Sequence, residues 1–305
     1  MAYEGATTPN IGTDTSADLT RDITIDVLQA YERKVRFVDK LRVDTIPEGS
    51  AAGSFIIEGK EDRDDGNLTE YSAGTQVMVN NGTQDEIIVP LDRPQYESRR
   101  IDKWKQAVAR YDTVAMNVRQ LGTRLANAID RKLSAGVYAS SQATGLVGNG
   151  DGTTILNTGI VLPMTDPEAT GKAFAQAIYA AVAVMEENDI DEVVNVACSP
   201  TLYSSLPQAL ITVSSDYTNN NGGYDTGEIK MVGGASVFST NNLPVVTGLV
   251  ALAFTSEAAG MAKLWDITID INEQPEFLNA KLINAYFSNG VKALRPACSC
   301  AITNV

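Results

Sequence analysis

Histidine is absent from the 305 residues, and this gap removes the usual general base of catalysis. Without imidazole there is no ordinary general base near neutral pH, no Ser-His or Cys-His pair and no histidine ligand for zinc. Cysteine is nearly as scarce. Cys198, Cys298 and Cys300 form an odd, sparse set that suits free thiols in a reducing compartment. Cys298-Ser299-Cys300 cannot recruit the four ligands of a structural zinc site, and alternating positions in a strand explain the pair better. No run of about 18 apolar residues offers a membrane span, and Met1-Ala2-Tyr3-Glu4-Gly5 lacks the basic and apolar parts of a signal peptide. The expectation is a cytoplasmic globular chain with no membrane partner.

Basic residues are also in deficit. Lys and Arg number 24 against 38 Asp and Glu, a net charge of −14 that opposes general nucleic-acid binding and favours solubility at high concentration. The carboxylates do not assemble chemistry. Glu186, Glu187, Asp189, Asp191 and Glu192 read as a solvated helix end with no apolar surroundings to raise a pKa. An EF-hand frame from Glu61 puts Arg63 and Ser72 at ligand positions. Gly148-Asn149-Gly150 has neither the preceding strand nor the following helix of a phosphate loop. No catalytic, cofactor-binding or metal-binding residues are predicted, and the hydrophobic content of 44% is enough for a sizeable core.

What is present is unusual in shape. Residues 55–91 read as a polar, acidic two-stranded projection, with β-prone legs at 55–57 and 86–89 and turn formers between them. After a short basic link, residues 112–140 carry Val114, Val118, Leu121, Leu125, Ala128 or Ile129, and Leu133 on one helical face. Isolated hairpins are marginal in water, and about 28 helical residues span roughly 40 Å, longer than a small domain is wide. Such parts are completed by neighbouring chains. Acid is concentrated in the projection at Glu58, Glu61, Asp62, Asp64, Asp65 and Glu70. Base follows at Arg93, Arg99, Arg100, Lys103, Lys105 and Arg110, then along the helix at Arg119, Arg124, Arg131 and Lys132.

The first twenty residues have no apolar period and read as a flexible arm, followed by a short helix from Asp22 marked by Val27, Tyr31, Val35 and Val38. Residues 145–159 read as a glycine-rich linker. Beyond it Asp166 caps and Pro167 opens a helix with Phe174, Ile178, Ala181, Val182 and Met185 on its apolar face. A buried strand at 192–198 and a helix restarting at Ser199-Pro200 complete an α/β subdomain. After a polar loop at 216–227, β-prone runs fall at 235–239, 245–246, 250–254, 265–271, 282–287 and 291–302.

Three phrases carry a resemblance. Gln120-Leu121-Gly122-Thr123-Arg124-Leu125-Ala126 followed by Asp130, Cys198-Ser199-Pro200-Thr201-Leu202-Tyr203-Ser204, and Leu294-Arg295-Pro296 occur in the order found in major capsid proteins of tailed bacteriophages with the HK97-like fold. The chain is most similar to the short-tailed, podovirus (T7-like) type. The resemblance implies an α+β fold: residues 1–43 an N-terminal arm and short helix, 44–100 an extended loop, 101–164 a peripheral domain with the spine helix, 165–264 an axial domain, and 265–305 return strands of the peripheral domain. It implies no enzyme and no cofactor. The implied function is self-assembly into pentamers and hexamers of an icosahedral shell around double-stranded DNA, without sequence-specific DNA binding. Scaffolding and portal proteins would be partners during assembly in the host cytoplasm, and the product would be a virion capsid. The charge distribution adds a hypothesis: the acidic loop of one copy docks on the basic residues of the next. Two other readings remain, an encapsulin-like nanocompartment shell and a soluble enzyme or binding module built on the α/β subdomain.

Overall fold

The computed structural model describes residues 15–32, 34–50, 52–58, 84–102, 104, 108, 113–145, 150–209, 231–277 and 280–304. The chain divides into two interleaved units. One comprises Met1–Val35, Arg93–Ile129 and Trp265–Ser288; the other comprises Arg36–Asp92, Asp130–Leu264 and Asn289–Val305.

In the first unit, helix α1 (Thr15–Glu32) lies against the first half of helix α2 (Thr113–Ser141). The apolar spacing of α2 sets its buried side, and Val118, Leu121, Leu125 and Ile129 are each under 5% exposed. Gly122 lets the helices meet. A Cβ there would stand 2.7 Å from the Val27 carbonyl oxygen and 2.8 Å from the Ala30 Cβ, and a backbone carbonyl cannot swing aside. Gly122→Val is therefore expected to push α1 away at a cost of about 1 to 3 kcal/mol, readable as a lower denaturation midpoint. Helix α1 begins at Thr15, so residues 15–20 of the expected arm are helical, whereas Val35 and Val38 lie beyond its end. Residues 1–14 are outside the described residues.

The same unit contains β4 (Gln95–Ile101), most of β10 (Ala259–Gln274) and the first part of β11 (Ala280–Ala293), which are neighbours in the order β10-β11-β4. Strand β4 runs antiparallel to β11, from Lys281 opposite Ile101 to Phe287 opposite Gln95. Part of the expected basic link is thus an edge strand.

In the second unit, β1 (Arg42–Thr45) pairs in parallel with the start of β10. Strands β2 (Ala52–Glu58) and β3 (Gln84–Pro90) form the expected hairpin, with Phe55 opposite Ile87 and Ser54 opposite Ile88. A six-stranded sheet is built from β5 (Thr153–Leu156), β6 (Asn195–Cys198), β7 (Met231–Val232), β8 (Ala235–Ser239), β9 (Leu249–Phe254) and β12 (Ser299–Thr303), ordered β5-β12-β9-β6-β8-β7. Its central members β6 and β9 are mostly buried apolar residues, as a doubly covered strand requires.

Helix α3 (Pro167–Glu187) packs against β5, β7 and β12 through Phe174, Ile178, Ala181 and Met185. Asp166 caps it, its Oδ1 accepting from the Glu168 and Ala169 N–H groups, with Pro167 at the first turn. Ser199 likewise caps the short helix α4 (Pro200–Tyr203). The linker at 145–159 holds strand β5, and Val245-Val246 is exposed loop instead of strand. The 291–302 run is broken by a 3-10 turn, Pro296–Cys298.

Candidate functional site

The hairpin has two unlike faces because side chains alternate along paired strands. Phe55, Ile87 and Val89 point into a small core with Ile46, Ala262 and Leu294, where burial of each large side chain stabilises by about 1.5 to 3 kcal/mol. Its root is therefore not the unburied projection that composition suggested. The opposite face presents Ser54, Ile56, Glu86 and Ile88 to solvent, with Ile56 60% and Ile88 56% exposed.

Several contacts fix the root. Lys292 Nζ donates to the Ile88 carbonyl at 3.0 Å. The Arg42 guanidinium lies 5.3 Å from the Phe55 ring centre. Gly53 faces Ala262 and Ile46, and Gly290 faces the Pro90 carbonyl, each too closely for a Cβ. Lys132 on α2 binds Asp92 at 3.1 Å and the Asn289 Oδ1 at 2.9 Å, just past the end of β3.

The basic residues separate into two groups. Arg99 and Arg124 converge on Glu97, at 3.5 and 2.5 Å. Arg100 pairs with Asp102 at 3.4 Å and sits 4.3 Å from the Phe277 ring centre. With Lys132 held as above, these four cations have partners in their own chain. Arg93, Arg119 and Arg131 are exposed and have no ion pair among the described residues. Glu61, Asp62, Asp64, Asp65, Glu70, Lys103, Lys105 and Arg110 lie outside the described residues, as does the side chain of Glu58.

Sequence reading missed Asp130 as anything beyond part of a phrase. It is fully buried on α2, and its carboxylate accepts from the backbone N–H groups of Arg36 at 3.2 Å and Phe37 at 3.3 Å. Burial holds this carboxyl above the ordinary value of 3.8, against those N–H groups, the Asn242 side chain and the Arg36 charge, which all favour ionisation. Phe37, so latched, joins Phe238 and Phe254 in a ring cluster with centroids 5.4 to 6.3 Å apart. An Asp opening no helix and facing no obvious cation gave no signal in sequence.

The cysteines are structural. All three are buried and free, and burial pushes Cys198 and Cys300 up to about 12. Cys298 sits in the 3-10 turn before β12, so it and Cys300 do not alternate along one strand. No group of three or more potential metal ligands occurs among the described residues. Of the helix-end acids, Glu192 accepts from the Ser256 N–H and hydroxyl at 3.1 and 2.8 Å, an ordinary loop tie.

Comparison with known proteins follows the same lines. A family model described as Gp10A-like major capsid protein matches residues 101–250. Among solved structures, the capsid of Cyanophage P-SCSP1u superposes with a TM-score of 0.72 at 23% identity over 88% of both chains. The mature capsid of bacteriophage PhiM1 gives 0.67 at 13% identity, covering 99% of this chain and 91% of that one. A virus-like particle from Pyrococcus furiosus gives 0.56 at 10% identity, covering 92% and 98%. No curated protein matches the sequence.

Proposed function

We propose how this chain, a phage major capsid protein with the HK97-like fold and a structural, non-enzymatic role, builds its shell. Many copies form the pentamers and hexamers of an icosahedral head of the short-tailed phage type. The shell assembles in the host cytoplasm with scaffolding and portal proteins and encloses double-stranded DNA. The observation that carries this reading is the family match over residues 101–250, which takes in α2, α3 and β6 to β8. An encapsulin-like shell shares the fold, and the match to a phage capsid family favours the virus.

Within that shell, residues 44–100 act as the extended loop laid over a neighbouring copy, 101–164 and 265–305 as the peripheral domain, and 165–264 as the axial domain. Two exposed isoleucines on a rooted hairpin suit a surface covered by another copy. Apolar burial supplies affinity. Charge sets register: the acids from Glu58 to Glu70 meet cations of the neighbour, each exposed pair contributing about 0 to 1 kcal/mol. Contacts this weak let misplaced subunits leave before the shell closes.

Replacing Glu61, Asp62, Asp64 and Asp65 by lysine in the full chain is expected to lower particle yield and to change its salt dependence. Normal yield with an unaltered salt response would contradict the charge-register proposal. A net charge of −14 further implies weak DNA affinity, since the inner wall has little to gain from holding a genome that must slide during filling and ejection. Tight duplex binding by isolated capsomers at physiological salt would oppose it.

A further inference from the structure

The acidic segment needs a particular seat on the neighbouring copy, and four of the seven candidate cations among the described residues already have partners. Arg99, Arg100, Arg124 and Lys132 each have a carboxylate of their own chain within 4 Å. Arg119 has no such carboxylate among the described residues, and it lines a cleft of about 430 Å³ between α1 and α2. The cleft wall is set by helical spacing: Ala115, Arg119 and Thr123 follow one another at four-residue intervals along α2. Asp26, Gln29 and Ala30 face them from α1, and Lys34 closes the end just beyond that helix. Beside the cleft, the close approach at Gly122 fixes the separation of the helices.

The chemistry of this lining favours an anion with hydrogen-bonding capacity. Two cations stand against one carboxylate, with an amide and a hydroxyl between them, and neither Lys34 nor Arg119 has an ion pair among the described residues. We infer that the α1/α2 cleft, through Lys34 and Arg119, receives carboxylates of the acidic segment 58–70 of a second copy; this rests on the shell reading above. The occupant follows from charge complementarity. That segment carries Glu58, Glu61, Asp62, Asp64, Asp65 and Glu70, the densest acidic stretch near the hairpin. Asp26 gives the seat polarity, so a carboxylate enters on the Lys34 and Arg119 side.

The direct test uses shells assembled from a mixture of isotopically light and heavy full-length chains. A water-soluble carbodiimide joins Lys34 Nζ to a carboxylate as an amide, with the lost water taken up by the reagent. Mass spectrometry is expected to find Lys34 linked to a peptide from 58–70, with mixed-isotope pairs showing that the link crosses copies. In parallel, Lys34→Glu with Arg119→Glu is expected to reduce particle yield roughly tenfold, while Arg131→Glu, an exposed arginine outside the cleft, changes it less than about twofold. Combining the cleft reversal with lysines at 61, 62, 64 and 65 is expected to restore yield. Wild-type shells in which Lys34 links only within its own copy or to another segment, or a double reversal that assembles normally, would overturn the inference while leaving the shell reading in place. A wild-type chain that forms no particles at all would overturn the shell reading and the inference together.

Discussion

Asp130→Ala is expected to lower the stability of the chain by about 2 to 4 kcal/mol. The carboxylate is buried, and it is the acceptor for the Arg36 and Phe37 N–H groups. Alanine leaves both donors without it, and a buried donor left unmade costs about 1 to 3 kcal/mol. The consequence spreads because Phe37 carries the stacked contact to Phe254 and the edge contact to Phe238. Asp130→Asn keeps an acceptor oxygen and is expected to lose less. The two substitutions also separate by pH. Burial raises the folded carboxyl above its unfolded value, so its stabilising share is complete below about that unfolded value and is lost as pH rises through the folded one. Wild type should therefore gain on Asp130→Asn as pH falls through this window, the reverse of a salt-bridged aspartate. Denaturant titrations of both proteins across the acid range read the difference.

Gly290→Ala is expected to abolish particle formation while leaving a folded chain. A Cβ at this site would lie 2.0 Å from the Pro90 carbonyl oxygen and 3.0 Å from its carbon. Both are backbone atoms, so β3 itself must shift at its last residue. The stability cost is about 1 to 3 kcal/mol, within what a folded protein of this size tolerates. The geometric cost is larger. Two residues on, Lys292 holds the Ile88 carbonyl, so the shift carries to the face that displays Ile56 and Ile88. A displaced root re-aims the whole hairpin, and a shell needs many identical contacts at once. Circular dichroism near that of wild type, together with loss of sedimenting particles, is the expected pair of results. Normal particles with unchanged melting would show that the root does not set the aim of the hairpin.

The elements legible in sequence were those whose signal is local. The α2 face repeats over 29 residues, and the Asp166-Pro167 and Ser199-Pro200 starts carry their own caps. The hairpin legs showed as β-prone runs, but their buried root did not, because Ile46, Ala262 and Leu294 reach it from distant parts of the chain. Strand β4 was hidden by its charges: Glu97, Arg99 and Arg100 suit an exposed edge strand and also resemble a loop. Strand β5 is four residues long and exists by pairing with β12, so Thr153 to Leu156 looked like glycine-rich linker.

The candidate surface was legible to a similar degree. Composition located acid and base on successive segments, yet it could not show that Glu97 and Asp92 already occupy Arg99, Arg124 and Lys132. Ion pairs between a strand and a helix are tertiary facts. Their placement leaves Arg93, Arg119 and Arg131 exposed and without an ion pair among the described residues.

The central claim is that copies of this chain complete one another in a closed shell. Electron microscopy of the purified full-length protein, assembled with its scaffold or by raised concentration, tests this most directly. The account predicts closed particles of uniform diameter whose walls resolve into rings of five and six copies. A folded protein that stays monomeric under both conditions would contradict it.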